Sequence, residues 1–354
     1  MTMTTSAADA DLRFADLSLD RDGRPQRPLT VVDLDGLRHS SPEHIADIAG
    51  SIATGAALAV AVAGDPVPAR LHPILDAATV SVSELPLRDR RVVTVTDRAA
   101  AVEILSAAVD HAPRAALACG HLLRQTPALP TLPALAAEAA VYSMLLGGTE
   151  FRDWLEARGP ARTPDDESGE LVRIDRAGGE LAIVLDRPRR RNALSARLRE
   201  ELLAAAQVAE ADPSITAVRL AGAGPAFCSG GDLDEFGGAT DPVAAYLVRL
   251  DRAPWRVLDR LSARLRIDTH GACVGAGAEI AAFGGIVTAA PGTWFRFPEV
   301  GMGLVPGAGG TVSVPRRIGR WRAAWAMLTG ATIDVDTALR WGLVDRIEPT
   351  GGPS

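Results

Sequence analysis

Two acidic residues, Glu279 and Glu299, each stand beside a run of small residues, and that pairing is where this chain's chemistry can be sought. The first acid closes Gly271-Ala-Cys-Val-Gly-Ala-Gly-Ala-Glu279, and the second lies at the start of Pro298-Glu-Val-Gly-Met-Gly-Leu-Val-Pro-Gly-Ala-Gly-Gly-Thr311. A third small-residue segment, Ala226-Phe-Cys-Ser-Gly-Gly-Asp232, precedes both. Segments 226–232 and 271–279 each end a hydrophobic strand and open a helix, so two separate loops can turn bare backbone N–H groups toward one oxyanion. Close helix packing by small residues would explain either loop alone, but it does not explain both together with their flanking strands and acids. Glu279 follows Ala276 by three residues, less than one helical turn. Glu299 follows the aromatic stretch Trp294-Phe-Arg-Phe-Pro298, where desolvation would raise a carboxyl pKa.

The elements that must position these residues can be read from periodicity. Residues 171–175 and 181–186 form a hairpin around Ala177-Gly178-Gly179, leading into Arg187-Pro-Arg-Arg-Arg-Asn-Ala-Leu-Ser195. Leu198, Leu202, Ala205 and Ala209 fall at helical spacing, and Asp212-Pro213 supplies the stop signal. A strand over 215–221 then delivers the chain to the 226–232 loop. Upstream, residues 29–34, 57–63, 79–83 and 92–95 read as strands and 42–53 as a helix, giving an N-terminal half with its own α/β pattern.

Residues 171–347 resemble the crotonase (enoyl-CoA hydratase/isomerase) superfamily, through the three small-residue segments, the two acids and the arginine-rich loop. The resemblance implies an α/β, crotonase-like ββα spiral fold and polarisation of an acyl-CoA thioester carbonyl between two backbone amides. Carried over by position, the two amides are those of Gly231 and Ala276, the latter standing where the family more often has glycine. Hydratases of the family keep glutamate at both acid positions, holding one water against the double bond, whereas isomerases usually keep only the second. Arg190, Arg191, Ala193, Asp232, Leu233 and Phe236 are implied to lie along the substrate, with the arginines, joined by Arg187 and Arg189, toward the CoA phosphates. The implied reaction is hydration of a 2-enoyl thioester to a 3-hydroxyacyl thioester, with no cofactor beyond the CoA thioester substrate. Double-bond isomerisation, hydrolysis, dehalogenation, cofactor-free oxygenation and a non-catalytic acyl-CoA-binding role stay open. A homo-oligomer, trimer or hexamer, is also implied. Residues 91–158 are similar to the family's terminal helices, and the chain ends soon after Gly342-Leu-Val-Asp345, so the N-terminal half is expected to be a degenerate crotonase-like segment whose helices cover the acyl site.

Composition bounds the remaining classes. The chain has 354 residues with 47% apolar content, enough for two domains, and the Pro- and acid-containing stretch 159–170 divides 1–158 from 171–354. No apolar span is long enough for a bilayer, and the first eleven residues lack the basic start and apolar core of a signal peptide, so a cytoplasmic enzyme is expected. A net charge of −7 argues against nucleic acid as the main partner. Every basic residue besides histidine is arginine; the absence of lysine excludes a Schiff-base lysine, a pyridoxal-phosphate attachment and a Walker A loop. The six histidines and three cysteines have no metal-ligand spacing, so no metal is expected. His270 reads as a turn residue at a strand end.

Overall fold

The computed structural model describes residues 4–5, 15–162 and 168–349, so the middle of the expected linker lies outside the described residues. The N-terminal half builds an all-parallel sheet, β1 (Thr4–Thr5), β2 (Leu29–Asp33), β3 (Leu58–Ala63), β4 (Val80–Ser83) and β5 (Val93–Thr94), ordered as in the chain. Alternation along β3 assigns its two faces. Ala59, Ala61 and Ala63 meet Ile45, Ile48 and Ile52 of the helix Pro42–Thr54 and Ile74 of the helix His72–Ala77 in one core. Leu58 and Val60 face a second, larger core with Leu105 of the helix Arg98–His111 and Leu122 of the helix Pro113–Gln125. That larger core runs without a break into the C-terminal half.

The C-terminal half contributes β6 (Val172–Ala177), β7 (Glu180–Leu185), β8 (Ala217–Gly222), β9 (Leu265–Thr269), β10 (Ala272–Val274), β11 (Ile286–Ala289), β12 (Trp294–Arg296), β13 (Ile333–Asp334) and β14 (Arg346–Ile347). A six-stranded sheet takes the order β14-β11-β9-β8-β7-β6, with β6 and β7 antiparallel and the other neighbours parallel. A second sheet takes the order β10-β12-β13. Thus β9 and β11 are neighbours in one sheet while the strands that directly follow them, β10 and β12, are neighbours in the other. Each strand pair bends from the first sheet to the second, and this repetition brings the loops after β8, β10 and β12 together.

Two helices of the N-terminal half, Thr131–Leu146 and Thr149–Arg158, complete the enclosure. The first is apolar almost all round; Ala134, Leu135, Ala139, Tyr142 and Leu145 are buried, as a helix with no polar face requires. Its one charged residue, Glu138, is buried too, at 2% exposure. Among the described residues no single helix is long and apolar enough to cross a membrane.

Candidate active site

The 226–232 loop is held by the arginine-rich loop beside it. Asn192, fully buried at a positive φ of 54°, accepts from the Arg187 N–H at 2.8 Å and donates to the carbonyls of Ala223, Ala226 and Phe227 at 2.9, 2.8 and 3.1 Å. Asparagine tolerates that left-handed conformation better than most residues, and here its amide saturates the turn. Leu194 then pairs on both sides of Gly231, donating to the Gly230 carbonyl at 2.8 Å and accepting from Asp232 N–H at 3.0 Å. The Gly231 N–H itself has no partner among the described residues.

The second loop is tied to the first. Val274 N–H donates to the Cys228 carbonyl at 3.0 Å, and Gly275 N–H to Arg296 at 2.8 Å. Gly275 caps the helix Ala276–Ala281 at φ 47°, a conformation that favours glycine, and a Cβ there would displace the Glu299 carboxylate. Ala276 is the first residue of that helix, where N–H groups lack intrahelical acceptors, and its N–H has no partner among the described residues.

Gly231, Ala276, Glu279 and Glu299 line one cavity of about 330 Å³, together with Asp232, Phe236, Arg249 and, from the N-terminal half, Tyr142, Leu146 and Phe151. The structure therefore brings together the two amides and two acids that the sequence singled out. Arg190, Arg191, Ala193 and Leu233 lie outside this lining. Asp232 carries structure: its carboxylate binds Arg187 at 2.6 Å and Arg190 at 3.1 Å, and Arg190 also pairs with Asp234. Against the upward push of burial, Arg187 and the Asp234 N–H hold Asp232 below the usual carboxylate range. The guanidiniums of Arg187 and Arg190 are thus engaged within the loops, while Arg189 and Arg191 are exposed. Phe236 packs its ring 6.3 Å from Phe151 and 6.0 Å from Trp154. His270 sits at a turn, with a ring nitrogen 2.9 Å from the Gly224 carbonyl.

The two acids have different surroundings. Glu279 is 1% exposed and its Oε2 accepts from Ala308 N–H at 2.7 Å and Gly310 N–H at 2.8 Å. Burial lifts its pKa well above the ordinary range, the Glu299 and Glu138 charges add to this, and the two N–H donors oppose it. Glu299 has a buried Oε2 with no hydrogen-bond partner among the described residues, and burial raises it to about 8. An oxygen with no donor gives the anion nothing, so the proton is favoured there.

Two residues given no role in the sequence also meet this site. Arg249 stacks on Tyr142, 3.6 Å from the ring centre, and donates to the Gly307 carbonyl at 3.0 Å; nothing distinguished it among the other arginines. Glu138 accepts from Gly309 and Thr311, the amides next to those that serve Glu279, and its signal was present as the lone charge in an apolar helix, a placement that costs energy unless satisfied.

The chain is similar to known proteins over its C-terminal half. A family model described as enoyl-CoA hydratase/isomerase matches residues 176–351. The chain is 32% identical over 182 residues to the protein named probable enoyl-CoA hydratase echA8 of Mycobacterium tuberculosis (strain CDC 1551 / Oshkosh), covering 51% of this chain and 69% of that protein. It is 33% identical over 181 residues to 2,3-dehydroadipyl-CoA hydratase of Escherichia coli (strain K12), covering 51% and 70%. A solved enoyl-CoA hydratase of Mycobacterium smegmatis is 31% identical and aligns over 51% of this chain and 71% of its own, with a TM-score of 0.47. The chain belongs to the enoyl-CoA hydratase/isomerase family, within the crotonase superfamily.

Proposed function

We propose that this protein adds water across the 2,3 double bond of an enoyl-CoA thioester, giving the 3-hydroxyacyl thioester. The observation that carries this reading is the convergence of two unpartnered N–H groups and two unlike glutamates on one cavity. The thioester oxygen rests between the Gly231 and Ala276 N–H groups, which stabilise the enolate as it forms; one such donor is typically worth about 2.7–4 kcal/mol of barrier. Glu279, its Oε2 occupied by two backbone donors, orients water with its other oxygen and takes one proton as the hydroxyl bonds to Cβ. Glu299, whose pKa burial raises to about 8, delivers a proton to Cα. One proton is gained and one lost, so the pair is restored by transfer between them. Exposed Arg189 and Arg191 are the arginines free to meet the CoA phosphates. The test is hydration of crotonyl-CoA by Glu279→Gln and Glu299→Gln. Each should lose on the order of 10²–10⁴ in rate with acyl-CoA affinity nearly intact. Parental rates in both variants refute the assignment; loss through Glu299 alone points to isomerisation.

A further inference from the structure

Resting on that reading, we infer that Glu138, carried by the N-terminal half, is a positioning residue of the active site: it clamps the segment 307–311 so that Ala308 and Gly310 can hold Glu279. The segment's N–H groups alternate between two carboxylates. Ala308 and Gly310 donate to Glu279 Oε2 at 2.7 and 2.8 Å. Gly309 donates to Glu138 Oε1 at 2.7 Å, and Thr311 donates to Glu138 Oε2 through its N–H at 2.8 Å and its hydroxyl at 2.7 Å. Four successive amides at the start of the helix Gly310–Ile318 are thereby satisfied by two buried acids.

The fit leaves no slack on either side. A Cβ at Gly310 would lie 2.5 Å from Glu279 Cγ, and one at Gly309, where φ is 87°, would lie 2.5 Å from the Phe283 ring. A Cβ at Gly307 would overlap the Tyr142 ring, one helical turn beyond Glu138. The N-terminal half adds a second tether, Thr126 Oγ1 donating to the Thr311 carbonyl at 2.6 Å. If Glu138 withdraws, Gly309 and Thr311 lose their acceptors, and the segment can turn the amides that serve Glu279.

Glu138 also sets the charge of the site. It faces Glu279 on the helix Ala276–Ala281, Glu299 in the turn Glu299–Met302, Arg249 on the helix Pro242–Asp251 and the Cys119 thiol on the helix Pro113–Gln125. Its charge pushes both catalytic glutamates upward, after burial; burial raises Glu138 itself to about 7, opposed by the Thr311 and Gly309 donors and then by Arg249. Neutralising it lowers the pH at which Glu279 ionises.

The experiment uses the full chain with Glu138→Gln, Glu138→Asp and Thr126→Val, the last removing only the uncharged tether. Parental turnover of crotonyl-CoA tests the hydratase reading by itself. Backbone hydrogen exchange across 304–313 tests the clamp without any turnover. Glu138→Gln should speed that exchange, lower kcat about 10- to 100-fold with KM for crotonyl-CoA changed less than about threefold, and move the acid limb of kcat/KM to lower pH. Glu138→Asp should restore the parental acid limb while kcat stays low, and Thr126→Val should leave the acid limb in place. Parental exchange in Glu138→Gln overturns the proposal, as does a loss of activity that only tracks the folded fraction at an unmoved acid limb. If Glu138→Gln does not fold, Glu138→Asp decides, since its parental exchange and kcat would equally overturn it.

Discussion

At the scale of single residues, burial does most of the chemistry. Glu299 is raised from 4.5 to about 8, so it holds its proton where an exposed carboxyl would not. In the proposed reaction its protonated form is the acid, so kcat/KM should fall as pH rises past about 8; a flat profile through that region would contradict the role. The same shift makes a stability prediction. A folded-state value above the unfolded one means stability that is fully present below about 4.5 and lost as pH rises through about 8. Urea unfolding across that window should show a falling stability whose slope is smaller in Glu299→Gln, and an unchanged slope would mean Glu299 is ionised in the fold. Glu279 and Glu299 stood out in the sequence beside runs of small residues, whereas Gly231 and Ala276 were picked out only by position in the family resemblance. The occupation of Arg187 and Arg190 by Asp232 and Asp234 was not legible there, since ion pairing between loops is set by the tertiary approach of residues about forty positions apart.

At the scale of elements, two loops carry the site, and each has a residue whose replacement isolates its contribution. Proline at Gly231 deletes the free N–H and fixes φ, so turnover should collapse in a folded protein; retained activity would place the thioester elsewhere. Alanine at Asn192 leaves three carbonyls and one N–H without partners at a strained φ, and should destabilise by about 2–3 kcal/mol in chemical unfolding. A change under about 0.5 kcal/mol would mean water replaces the amide, as at ordinary surface positions. Periodicity located β2, β3, β4, β5 and the helix Pro42–Thr54 to within a residue or two, because β-branched runs and helix caps are local signals, but missed the two-residue β1. The ββα repeat was reached only through the family resemblance, since the bend from β9 into β10 and from β11 into β12 has no period of its own.

At the scale of the whole molecule, the larger core passes between the two halves, and Tyr142, Leu146 and Phe151 reach the cavity from the N-terminal side. Expression of 171–354 alone should expose that apolar face and give an insoluble or inactive product. Coexpression with 1–158 should restore activity, whereas a monodisperse, fully active fragment would show that the N-terminal half is dispensable. Addition of water to the enoyl thioester through an enolate held by Gly231 and Ala276 is best tested by turning over crotonyl-CoA with the intact chain in deuterated water. The account predicts 3-hydroxybutyryl-CoA with one deuterium at Cα, formed by the parent and lost in Glu299→Gln. Deuterium at Cα with the double bond moved to Cβ–Cγ and no hydroxyl at Cβ would contradict it.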